Sequence, residues 1–221
     1  MIPAEILKIV YYIEVGAKCG TSFLLKQNEK IFLITAKHLF EELNYPKDLS
    51  IKLQINRSLT ELIVSAKYSC DSEGDIAVLE PITPIELNLT KDITYSIAGT
   101  NFGQDVFFLG FPYHTEQSLI SLADGENPIP IIKRACFSGM LSPSQILLDG
   151  INNKGFSGGP ICAFNYSTHK WQIIGVINSY HKDIQEVYNE RKIPQKLFVD
   201  GNSGIIHATS IQVALQLIEE K

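Results

Sequence analysis

Six consecutive residues, Gly155-Phe156-Ser157-Gly158-Gly159-Pro160, set one hydroxyl among three glycines. Glycines remove side chains where a substrate backbone must approach and admit backbone angles that other residues avoid. A loop of this kind can aim successive N–H groups at one point, as a developing oxyanion requires. A phosphate-cradling loop is a poorer match, since the segment has no Gly-Lys-Ser/Thr ending and no helix signal after it. Read alone, the segment has a blander alternative as a glycine-rich turn with an incidental serine.

A serine hydroxyl is a weak nucleophile at neutral pH, so it needs a base within hydrogen-bond reach and a third group to hold that base. The chain has five histidines. His38 follows the apolar run Ile31-Phe32-Leu33-Ile34-Thr35-Ala36-Lys37, where a buried strand gives way to a loop and can hold an imidazole rigidly. His114, His169, His181 and His207 lie in or beside polar segments. In Gly74-Asp75-Ile76-Ala77-Val78-Leu79 an acid opens an apolar run, which puts Asp75 at a strand edge beside the core. Each taken singly suits an ordinary structural histidine and an ordinary turn or capping aspartate.

The elements that must position these side chains read as strands. Apolar and period-2 runs fall at 6–15, 22–25, 31–35, 49–55, 62–68, 76–79, 105–109, 130–137, 145–148, 160–164 and 171–177. Between them stand turn signals such as Gln27-Asn28-Glu29, Asn101-Phe102-Gly103, Asp124-Gly125 and Asp149-Gly150. Many short strands with closed edges favour barrels over an open sheet. A helix is expected over 210–219, with Ile211, Leu215 and Ile218 on one stripe and Thr209 or Ser210 as N-cap. His38 to Leu43 suits one short turn. Segments 113–128 and 179–203 read as long polar connections, and a Gly/Thr/Asn cluster at 98–103 marks a midpoint boundary.

With 45% hydrophobic residues in 221, the chain can bury a core without disulfide staples. Its 19 basic and 24 acidic residues leave a net charge of -5, and no basic run could neutralise a line of phosphates, which argues against a nucleic-acid partner. No apolar stretch approaches the ~20 residues of a membrane helix, so no membrane association is expected. Residues 1–16 lack a basic start and a continuous apolar stretch, and the expected location is cytoplasmic. Cys19, Cys70, Cys136 and Cys162 show no metal-ligand spacing and read as thiols. Neither a His-Glu-x-x-His pattern nor a nucleotide fingerprint occurs, and no cofactor is expected. The triplets at Asn56, Asn88 and Asn165 would matter only in a secreted chain.

Thr35-Ala36-Lys37-His38, Asp75-Ile76-Ala77-Val78-Leu79 and Gly155-Phe156-Ser157-Gly158-Gly159-Pro160 occur in that order. The arrangement resembles the trypsin-like, chymotrypsin-fold serine endopeptidases, in which His, Asp and Ser follow one another on a double β-barrel. Gly20-Thr21-Ser22-Phe23-Leu24, Leu109-Gly110-Phe111-Pro112 and Ile174-Gly175-Val176-Ile177-Asn178-Ser179 resemble further strands of that family. In style the chain is nearest the disulfide-free bacterial branch that includes the HtrA-like proteases, because Leu39 stands where digestive trypsins carry cysteine. No PDZ domain is expected within the 221 residues.

The resemblance implies an all-β fold of two six-stranded antiparallel barrels packed together, with a C-terminal helix. It implies one peptidase domain over 1–221, with a barrel in 1–103 and a second barrel plus helix in 104–221. Ser157 would be the nucleophile, His38 the general base and Asp75 the group fixing its tautomer. The N–H groups of Gly155 and Ser157 would form the oxyanion hole. Ile151 would stand at the floor of a specificity pocket walled by Asn178, Ser179, Tyr180 and Gly204, and with no acid there cleavage is expected after apolar or small residues. The partner is then a polypeptide substrate. Phe156 stands where activated trypsins carry an aspartate, so an ordered loop in the uncut chain, or one ordered by a regulatory protein partner, is expected. A second reading keeps the barrels but holds a peptide without cutting it.

Overall fold

The computed structural model describes residues 1–83, 93–117, 119–121 and 127–220. The Asp124-Gly125 turn and the Asn88 triplet lie outside them. The first six strands are β1 (Val10–Val15), β2 (Lys18–Gln27), β3 (Lys30–Thr35), β4 (Asp48–Ile55), β5 (Ser58–Tyr68) and β6 (Ala77–Pro81). They pair in the order β1-β2-β3-β6-β5-β4, and the antiparallel β1–β4 pairing closes the barrel. Two hairpins turn on residue pairs with positive φ, Asn28-Glu29 at 50° and 63° and Asn56-Arg57 at 48° and 65°. Turns with both central residues in that region match the right-handed twist of their flanking strands.

The second half supplies β7 (Thr94–Tyr95), β8 (Asp105–Gly110), β9 (Ile131–Met140), β10 (Gln145–Asp149), β11 (Pro160–Asn165), β12 (Lys170–Tyr188) and β13 (Pro194–Ser210). Their order is β11-β8-β9-β10-β13-β12-β7, and an added β11–β12 pairing returns the chain of six antiparallel strands to its start. A second closed ring results, with β7 laid parallel on β12 outside it. Closure of both rings leaves no long edge over most of the fold.

Strand β5 alternates exposed and buried residues, as a strand with one wet face must. In β2 the residues from Gly20 to Leu25 are all buried, because that strand faces its own barrel on one side and the second half of the chain on the other. The core around Phe23, Leu24 and Leu33 runs on to Leu109, Phe111 and Val176. The closing helix (Ile211–Glu219) joins the same core through Ile211, Ala214 and Leu217. Its buried stripe is therefore turned slightly from the expected Ile211, Leu215 and Ile218, of which the last two are half-buried. Ser210 caps it, its side chain accepting the Gln212 N–H.

Two expectations are corrected. The run at 6–15 is not all strand, since Ala4–Leu7 forms a helical turn and Ile6, Ile9 and Val10 are buried at helical spacing. The segment 179–203 is not an irregular connection but the outer part of β12 and β13, paired from Ser179 with His207 to Tyr188 with Pro194. Water on both faces of this ribbon removed the hydrophobic alternation by which a strand is recognised.

Candidate active site

Strand β3 ends at Thr35, and Lys37–Leu43 follow as a short 3-10 helix stopped by the left-handed Asn44. Buried Leu39 and Phe40 anchor that helix in the first barrel and leave His38 facing outward. Thirty-seven residues on, Asp75 meets it twice. One carboxylate oxygen accepts the His38 backbone N–H at 2.8 Å and the other faces Nδ1 at 2.5 Å. An ionised carboxylate only accepts, so Nδ1 carries the proton and Nε2 presents its lone pair. Asp75 is itself held by its N–H, which donates to the Thr209 hydroxyl at 3.0 Å. The Asn178 side-chain amide donates to the same hydroxyl at 2.7 Å.

Ser157 lies between β10 and β11, in a loop clamped by one residue of the first barrel. Thr21 donates its N–H to Ser157 O at 2.8 Å and its hydroxyl to Gly155 O at 2.7 Å, and accepts the Phe111 N–H at 3.1 Å. The glycines answer to space and angle. Gly158 has φ +85°, and a Cβ there would stand 2.1 Å from Thr21 O. Gly155 has φ +99°, and its Cβ would stand 2.4 Å from Phe111 O. Phe156 turns inward, fully buried with its ring 4.9 Å from that of Phe108. Burial of that ring contributes about 1.5–3 kcal/mol to holding the loop.

The loop's amides divide into two sets. Phe156 N–H donates to Asn153 O at 3.3 Å, Gly158 N–H to Ile177 O at 2.8 Å and Gly159 N–H to Phe156 O at 2.8 Å. Among the described residues, the amides of Gly155 and Ser157 donate to no backbone acceptor. These are the two named from the sequence. Lys133 braces the approach to the loop, its ammonium donating to Ile151 O and, at 2.8 Å, to the Asn153 side chain. Burial holds its pKa below the usual lysine value.

The Ser157 hydroxyl donates to Asn178 O at 3.1 Å rather than to the imidazole. Asn178, His38 and Asp75 line one cleft of about 530 Å³ between the two barrels. Ser179 and Tyr180 line it too, while Ile151 and Gly204 lie outside its lining. Ile151 is 52% exposed, and Gly204 O accepts the Gly150 N–H at 2.8 Å. Lys37, also in the wall, pairs with Asp71 at 2.6 Å and holds that carboxyl below its usual range. Among the described residues no cluster of three His, Cys, Asp or Glu could hold a metal ion. All four cysteines are free, and burial pushes the Cys162 thiol far up.

The bridging roles of Thr21 and Thr209 were missed by sequence reasoning, and Asn178 was expected only as a pocket wall, not as the acceptor of the Ser157 hydroxyl. The only signal of the two threonines was a polar residue inside an apolar strand, in Gly20-Thr21-Ser22-Phe23 and in Ala208-Thr209. A buried hydroxyl needs a partner, so each was a candidate for bridging elements.

No family model and no curated protein matches this sequence. Solved structures do. The chain is similar to the serine endoprotease from Yersinia pestis at TM-score 0.59 and 16% identity, over 99% of this chain and 67% of that one. It is similar to a Glu endopeptidase at TM-score 0.59 and 14% identity, over 99% and 93%. The MamO protease domain from Magnetospirillum magneticum matches at TM-score 0.56 and 12% identity, over 98% of each chain. The fold is that of the trypsin-like serine proteases, as the residues of the sequence led us to expect.

Proposed function

We propose that the chain is a serine endopeptidase in which Ser157, His38 and Asp75 act as a triad. The observation that carries this reading is the doubly bonded His38–Asp75 pair, set in the cleft lined by Asn178, the acceptor of the Ser157 hydroxyl. When a polypeptide enters, the hydroxyl leaves Asn178 O and turns to Nε2, which takes its proton as Oγ attacks the scissile carbonyl. Catalytic hydrogen bonds often form only in the substrate complex. The oxygen of the tetrahedral intermediate would take the free amides of Gly155 and Ser157, a contribution worth about 3 kcal/mol per donor. Asp75 keeps the proton on Nδ1 and balances the imidazolium. His38 then protonates the leaving amine, and water, activated by the same base, hydrolyses the acyl-enzyme.

A second reading, a trypsin-fold module that holds a peptide without cutting it, draws on the resting hydroxyl's bond to Asn178. Turnover separates the two. A peptide library should be cut by the intact chain after apolar or small residues, since no acid stands among Ile151, Asn178, Ser179, Tyr180 and Gly204, and left whole by Ser157→Ala. Strong cutting after Arg would overturn the preference and direct attention to Asp149, whose Oδ1 lies 3.8 Å from a Cβ built on Gly204. No cutting of any member would favour the binding module. Four free thiols support a reducing, cytoplasmic setting.

A further inference from the structure

The far wall of the cleft is formed where β12 and β13 leave the second barrel as a ribbon. Ser179 pairs directly with His207 across the ladder, and His181 follows where the register shifts between Tyr180 and Lys182. The rings of His181 and His207 stand 6.2 Å apart, inclined at 45°. Tyr180 pairs with Ile206, whose side chain is fully buried. Both imidazoles line the cleft that holds His38.

The other charges around this cleft are matched. Lys37 meets Asp71 at 2.6 Å, Glu41 meets Lys18 at 3.3 Å, Asp75 meets His38, and Lys182 meets Asp200 at 2.6 Å. Only the imidazole pair has no carboxylate among the described residues. We propose that His181 and His207 form a subsite for an acidic side chain of the bound polypeptide, at a position removed from the bond that Ser157 attacks. This assignment rests on the peptidase reading of the same cleft. It is separate from the pocket assigned to Ile151, which the cleft lining does not include.

Two neighbouring imidazoles resist joint protonation, and a carboxylate between them removes that penalty while accepting charge-assisted hydrogen bonds. His207 is held below its usual pKa, first by burial and then by His181. A carboxylate works against both causes. Lys37, His38, Glu41, Asp71 and Asp75 face the pair from the first barrel, Tyr180 and Lys182 flank it on β12, and Asp200 lies on β13. The ionisation of His38 affects every substrate alike, so the quantity to read is a ratio between matched peptides.

The test compares acetylated octapeptides that differ only as Glu or Gln at one position, scanned on both sides of the scissile bond at pH 6 and pH 8. At one position kcat/KM should favour Glu by about tenfold or more at pH 6, the scale of one charge-assisted bond. The ratio should fall toward 1 at pH 8, above the range in which an imidazole is ordinarily protonated. In His207→Gln and His181→Gln the ratio should stay near 1 at both pH values, and the exposed His181 provides a variant whose folding is not at risk. A ratio near 1 at every position in the unaltered chain, or one that survives both substitutions, overturns the subsite. Fluorescence anisotropy of the same peptides on Ser157→Ala reads binding without turnover. Tighter Glu binding there, with no hydrolysis by the intact chain, would keep the subsite and reject the peptidase. Equal Glu and Gln binding with hydrolysis intact would do the reverse.

Discussion

Replacing Ser157 with alanine is expected to lower kcat about a million-fold, the scale on which a triad fails when its nucleophile is removed. The reason is local. In the proposed reaction the serine oxygen forms the acyl bond, and no second hydroxyl stands in the loop beside the amides of Gly155 and Ser157, which donate to no backbone acceptor among the described residues. The fold should be spared, because the Thr21 N–H bonds the backbone oxygen of residue 157 and the hydroxyl makes a single bond, to Asn178 O. Loss of that bond costs about 1 kcal/mol. Progress curves on a cleaved peptide and a thermal melt of the same sample check both statements. A variant that keeps a tenth of the rate would place the nucleophile elsewhere.

The second large effect is expected at Asp75. Asp75→Asn keeps the size of the side chain but should lower kcat by about ten thousand-fold, as found when a triad aspartate becomes an amide. One oxygen must still accept the His38 backbone N–H, now made at 2.8 Å. The amide nitrogen is then turned toward Nδ1, a contact now made at 2.5 Å by a carboxylate. A donor facing Nδ1 drives the ring proton to Nε2 and removes the lone pair that the proposed mechanism gives to Ser157. Single-turnover rates across pH test this, and a drop smaller than tenfold would mean that the carboxylate does not set the tautomer.

His38 and Asp75, which pair in the cleft, and the loop that carries Ser157 were legible in the sequence. A serine among three glycines, a histidine at the end of a buried strand and an acid before one are each ordinary alone and became legible through their order along the chain. The barrels were legible through alternation and turn residues, and Ser210 was legible as a helix cap. What failed to show has a common cause. The outer ribbon of β12 and β13 has water on both faces, so Lys182, Asp183, Glu186 and Asp200 read as loop when they are paired strand. The bridging roles of Thr21 and Thr209 depend on contacts 134 residues apart, from Thr21 to Gly155 and from Thr209 to Asp75, and no local pattern encodes them. Ile151 and Gly204 lie outside the cleft lining, with Ile151 O bonded by Lys133 and Gly204 O by the Gly150 N–H, contacts that spacing alone does not specify.

The most direct measurement is covalent labelling of the folded chain with a fluorophosphonate, read by peptide mass. Such a reagent needs an oxygen nucleophile, a base to deprotonate it and donors for the phosphoryl oxygen, all at one point. The account predicts a single adduct on Ser157, abolished in Ser157→Ala and strongly slowed in His38→Ala. An unlabelled chain that melts cooperatively, or an adduct on any other residue, would contradict it.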